Sequence, residues 1–166
     1  SCLVRLEHYD EAKPYLITAE AWNEGAVAAD QPDYYANNCY EMAECHLLLG
    51  TYDKALQLAD KALTVSPQNF DFMQTKGAAL LALGKHTEAF QVFTDSVTLH
   101  DDLSQALLLT GLRYLNAGEP EAASKFFLRV LAEENPAPQA YAYLTYTYFQ
   151  MSDTVKFLAS LRKSVE

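Results

Sequence analysis

Apolar residues recur every three to four positions through most of the chain, and the stretches that carry them are separated by polar turns with glycine or proline. HLLL, LLAL and RYLNA run into Gly50, Gly84 and Gly118, and each is followed at once by a polar-led segment: TYDKAL, KHTEAF and EPEAAS. A glycine just past an apolar helical stretch ends the helix in the left-handed conformation. Each site therefore predicts a helix, a tight turn and a second helix. The second helices keep a stripe at helical spacing: Leu56, Ala59, Ala62 and Leu63, then Phe90, Phe93 and Val97, then Phe126, Phe127, Val130 and Leu131. Pro67 and Pro136 stop two of them, a polar turn at His100, Asp101 and Asp102 follows the other, and Pro120 suits a first helical turn.

The spacing of the small residues turns these helices into a repeat. Gly50, Gly84 and Gly118 fall 34 residues apart, as do Gly77 and Gly111, and Ala55, Ala89 and Ala123 keep the same period. Gly77 and Gly111, with Ala43 in the equivalent place, sit midway along the first helices, where a small side chain lets the paired helix approach. Ala55, Ala89 and Ala123 supply small surface on the second helices. These residues resemble the tetratricopeptide repeat, a 34-residue pair of helices with small residues at positions eight and twenty and a proline near position thirty-two.

The resemblance implies an all-α fold: a right-handed superhelical solenoid of antiparallel helix pairs, in one domain over residues 1–166. Repeats are expected at about 36–69, 70–103 and 104–137, with a degenerate one at 138–166. The last has Thr145 and Phe157 where small residues belong, and an aromatic first helix with Tyr141, Tyr143, Tyr146, Tyr148 and Phe149. Position four, often a large aromatic in the family, is Cys39, Met73, Leu107 and Tyr141 here. Residues 2–12 align without a gap on residues 45–55, sharing Cys, Leu, Tyr, Asp and Ala. A partial hairpin over 1–32 is expected from this, and with it a chain that is a fragment of a longer protein.

Composition adds exclusions. Half the residues are apolar and 20% are charged, ordinary for a folded soluble protein, and no apolar run approaches the ~18 residues of a membrane span. Three cysteines make no disulfide framework. Cys39 and Cys45, six apart on a predicted helix, point roughly 120° apart and read as small buried apolar residues. Localisation stays unknown, with a lean towards a reducing, cytoplasmic setting. Of the net charge of −10, residues 1–50 carry nine acidic and two basic side chains, hence −7. That acidity argues against nucleic acid. It fits either plain solubility or a partner with basic and apolar residues.

Stacked hairpins leave a concave surface lined by their first helices. In this register the candidate groove residues for a peptide or helix are Asn37, Tyr40, Glu44, Asp71, Gln74, Gln105, Leu108, Leu112, Gln139 and Tyr146. The deeper of these serve either packing or contact, and Leu108 and Leu112 can equally be covered by a neighbouring helix. A carboxylate clamp of the kind some tetratricopeptide domains use is not expected, since Tyr40, Glu44, Thr75, Gln105 and Leu109 stand at its positions and none is a cation. The four histidines are scattered, without His-x-x-x-His or Cys-x-x-Cys spacing, and no phosphate loop or nucleophile elbow occurs. A non-catalytic protein-interaction module without metal or cofactor is therefore expected. The alternatives are a structural spacer or self-association segment, with a homodimer in view, and a secretion-chaperone-type substrate holder, against which the mid-helix start argues.

Overall fold

The computed structural model describes Tyr15, Thr18, Ala19, Ala21, residues 31–134 and residues 136–164. The partial hairpin expected over 1–32 lies almost wholly outside the described residues. Those described form eight helices and no strand: α1 (Pro32–Leu48), α2 (Tyr52–Val65), α3 (Phe70–Ala82), α4 (His86–Val97), α5 (Leu103–Asn116), α6 (Pro120–Val130), α7 (Gln139–Gln150) and α8 (Thr154–Ser164). The packing divides the chain into two compact units, 1–93 and 94–166, with the division inside α4.

The turn within each helix pair is made the same way. Gly50, Gly84 and Gly118 take φ of +71°, +74° and +78°, a region that costs an L-residue roughly 1–2 kcal/mol. The left-handed residue reverses the chain so that Thr51, Lys85 and Glu119 donate back to the carbonyls of His46, Leu80 and Tyr114 at 2.9, 2.9 and 3.0 Å. The fourth pair uses the same bond, Asp153 N–H to the Tyr148 carbonyl at 3.0 Å, but with Ser152 at φ +56°. Ser152 is 34 residues after Gly118.

Starts are fixed by side chains. Asn69 accepts from the Phe72 N–H at 3.1 Å to cap α3, and Asp102 accepts from the Gln105 N–H at 2.9 Å to cap α5. The polar turn before α5 is thus a cap, with His100 Nδ1 accepting from the Asp102 N–H at 3.0 Å. Pro32 and Pro120 occupy first-turn positions of α1 and α6, where a missing N–H costs nothing.

In unit 1, α1 packs along α2, and α3 closes over α2. Cys39, Met42, Cys45, Leu58 and Phe72 gather with Ala36, Ala43, Ala59 and Ala62 into one core, each large side chain stabilising it by about 1.5–3 kcal/mol. Cys39 and Cys45 are both buried thiols, neither in a disulfide. His46, also buried, places Nδ1 2.7 Å from the Thr51 hydroxyl and so ties the end of α1 to the start of α2. A Cβ on Gly77 would come within 2.6 Å of the Phe93 ring.

In unit 2 the pairs α5–α6 and α7–α8 pack with α6 against α7. Gly111 receives the Phe127 ring as Gly77 receives Phe93, a Cβ there falling 2.5 Å from Phe127 Cε1. Phe127 continues to Tyr143, ring centroids 5.7 Å apart, and Phe126 stacks on Tyr114 at 5.3 Å. Ala55, Ala89 and Ala123 are fully buried. What the glycines admit, however, is a phenyl ring four residues beyond the alanine column. Phe90, expected in the stripe, is instead exposed.

Candidate functional site

The first helices present two candidate surfaces, one in each unit. In unit 1, α1 and α3 lie side by side. The Tyr40 ring tilts against Phe72 with centroids 5.4 Å apart. The Thr75 hydroxyl donates to Glu44 Oε1 at 2.5 Å and lies 3.0 Å from the Asp71 carbonyl oxygen. Asn37, Tyr40 and Glu44 follow one another at intervals of three and four, so they share one strip of α1. Asn37 and Asp71 are exposed, while Tyr40 and Glu44 are half-buried. This surface is acidic, and Glu44 is held in place by a neutral hydroxyl.

In unit 2 the surface on α5 and α7 is mostly uncharged. Gln105, Gln139 and Tyr146 are exposed, and Leu112 is half-buried. The Tyr146 hydroxyl accepts from Gln150 Nε2 at 2.9 Å. Phe149 beside it is also exposed and meets Phe157 of α8 with centroids 6.0 Å apart.

Two of the expected groove residues require correction. Gln74 and Leu108 are only 2% and 4% exposed, which makes them packing residues. First helices of successive pairs pack on each other, α1 on α3 and α5 on α7, and this takes up the edge of the strip nearest the neighbour. The spacing rule placed a residue on a face but could not say how far the neighbouring helix overlaps it.

Ionisation follows burial and local pairing. Burial pushes the Cys45 thiol up, so it stays protonated and unreactive at neutral pH. Burial, then the Glu119 carboxylate, pushes Tyr114 up to about 12. At the start of α8, Asp153 and Lys156 share a 2.9 Å ion pair. Their hydrogen bond holds the carboxyl below its usual range and the ammonium above its own. Among the described residues no group of three or more His, Cys, Asp or Glu is placed to hold a metal ion. Nor is any described helix long and apolar enough to cross a membrane.

The residues missed by the sequence reading are Ser152, which keeps the glycine register, and Ser160, whose hydroxyl lies 2.8 Å from that of Thr145. The first was discoverable by extending the 34-residue column. The second was not, because a serine on a helix carries no signal of what faces it.

Helix pairs in a 34-residue register, turned by left-handed residues and closed by small-to-large contacts, define a helical-repeat protein. The comparisons agree. The family described as "Anaphase-promoting complex, cyclosome, subunit 3" matches residues 15–96. The BBSome complex member BBS4 of Bos taurus is 22% identical over 163 residues, which is 98% of this chain and 30% of that protein. Of solved structures, TTC0263, a thermophilic tetratricopeptide protein of Thermus thermophilus, superposes with TM-score 0.57 at 19% identity, covering 90% of each chain. YrrB, described as having an unusual peptide-binding site, superposes with TM-score 0.56 at 21% identity, covering 99% of this chain and 80% of its own. The chain has the tetratricopeptide-repeat fold. It spans 30% or less of the length of the curated relatives it matches.

Proposed function

We propose that the chain is a non-catalytic interaction module whose acidic α1–α3 surface in unit 1 holds a peptide with basic and apolar side chains. Tetratricopeptide repeats bind proteins or peptides and are generally non-catalytic, which supports the class. The observation that carries the finer reading is the Asn37–Tyr40–Glu44–Asp71 strip, which pairs an aromatic ring with two carboxylates on adjacent first helices. An aromatic ring beside carboxylates suits an arginine or lysine with an apolar neighbour. On the unit 2 surface, Gln105, Leu112, Gln139 and Tyr146 would take an uncharged segment.

The test is an array of twelve-residue peptides graded from acidic to basic, probed with the chain and with a Tyr40→Ala, Asp71→Lys variant. Basic-apolar peptides should be retained by the parent and lost by the variant, with helicity kept and melting lowered only by the lost Tyr40–Phe72 contact. Asp71→Lys alone, which leaves that contact in place, should also weaken retention. Equal retention by both proteins would refute the assignment. A second reading, self-association, is favoured by Val155, Leu158 and Leu161, which stand exposed along α8. Light scattering over a hundredfold concentration range should then show a rise in mass, and a constant monomer mass would remove it.

A further inference from the structure

Helices α6, α7 and α8 of unit 2 border an open cavity of about 380 Å³. Its floor is apolar, made by Leu131 just after α6 and by Leu144 of α7, with Tyr141 and Tyr148 beside them. Lys156 and Lys163 of α8 complete the wall. They are seven residues apart, two helical turns, and therefore share one edge of α8. Lys156 is held at the rim, its ammonium 2.9 Å from Asp153 and 5.5 Å over the Tyr148 ring. Lys163 is exposed and forms no ion pair with the described residues. Helix α8 (TVKFLASLRKS) carries three cations and no acid, in a chain of net charge −10. This is a basic rim on an acidic protein. Tyr146, the groove candidate on α7, lies outside the cavity wall.

Size and lining together select the occupant. Ligand pockets span about 300–1,000 Å³, so this one has room for one or two side chains rather than a large cofactor. An apolar floor draws a leucine- or phenylalanine-sized group. The lysines favour a carboxylate next to it and repel a basic segment. We infer that this cavity is a second binding site, one that takes an acidic peptide segment of a partner protein. The partner's apolar side chain rests on the accessible Leu128 and Leu131, and its neighbouring carboxylate pairs with Lys163, with Lys156 in support. The site is chemically opposite to the α1–α3 surface and stands independently of it.

The test titrates the whole chain with a capped peptide of alternating leucine and glutamate, followed by amide NMR shifts and calorimetry. A counterpart with lysine for every glutamate is the control. The acidic peptide should shift Tyr141, Leu144 and Tyr148, and the lysine peptide should not. Lys156→Glu with Lys163→Glu should weaken the acidic peptide by about tenfold or more and let the lysine peptide bind. Lys163→Gln touches no ion pair among the described residues, so it tests the same point if the double variant melts early, and should weaken binding severalfold. No shift at millimolar acidic peptide, shifts confined to other helices, or affinity indifferent to both lysine variants would each overturn the inference.

Discussion

The pairs α5–α6 and α7–α8 share a register and a unit, yet they close differently. Where the first has Gly111 and Phe127, the second has Thr145 and Leu161 at the same repeat positions. In the first, the phenyl ring fills the space a Cβ would need, is fully buried and continues to Tyr143 of the next helix. In the second, Thr145 is buried, its hydroxyl donates to the Tyr141 carbonyl at 2.7 Å and pairs with Ser160, and Leu161 is left 42% exposed. A mid-helix glycine costs about 1 kcal/mol relative to alanine. Burying the phenyl ring stabilises by about 1.5–3 kcal/mol. The glycine is therefore favourable only because of the ring across from it, and a pair lacking the ring does better with a side chain that can bond.

The largest effect that could break this comparison is at the ring. Phe127→Ala should cost about 3–5 kcal/mol in urea unfolding, and Gly111→Ala about 1–3 kcal/mol by overpacking. Combining Gly111→Ala with Phe127→Leu should cost clearly less than the two changes summed, because they share one volume. Strict additivity would mean that the contact is not what closes the pair. In the fourth pair, Thr145→Val keeps the shape but deletes the 2.8 Å hydroxyl contact. A loss of about 1 kcal/mol is expected, and an unchanged midpoint would leave the hydroxyl pair without a role. The smallest effect concerns the turn. Ser152→Gly relieves a left-handed serine at φ +56° and should stabilise by about 0.5–1 kcal/mol, whereas Gly118→Ser should destabilise by a like amount.

Much of the fold was legible because glycine and alanine leave marks with a period. The turn glycines at 50, 84 and 118 and the packing glycines at 77 and 111 each answer to a local geometric demand that no other residue meets as cheaply. The candidate surface was legible only in part. Asn37 and Asp71 lie exposed as their positions imply, but Gln74 and Leu108 are buried, since the lateral overlap of neighbouring first helices is a tertiary quantity with no trace in one helix's pattern. The lysine-rimmed cavity was illegible for a similar reason: its walls come from three helices, and Lys156 and Lys163 read alone as ordinary solvated charges.

The matched volumes bear on how such a chain can lengthen or shorten. Ala43 and Ala59 share one core, Gly77 faces Phe93, and Gly111 faces Phe127. Recombination between the turn at Gly50 and that at Gly84 or Gly118 would join a first helix to a foreign second helix, setting Ala43 against a phenyl ring or a glycine over a void. Recombination in the connectors at Ser66–Asn69 or His100–Asp102 moves both halves of a matched pair together. The inheritable module is the intact hairpin, and duplications should begin and end in those connectors.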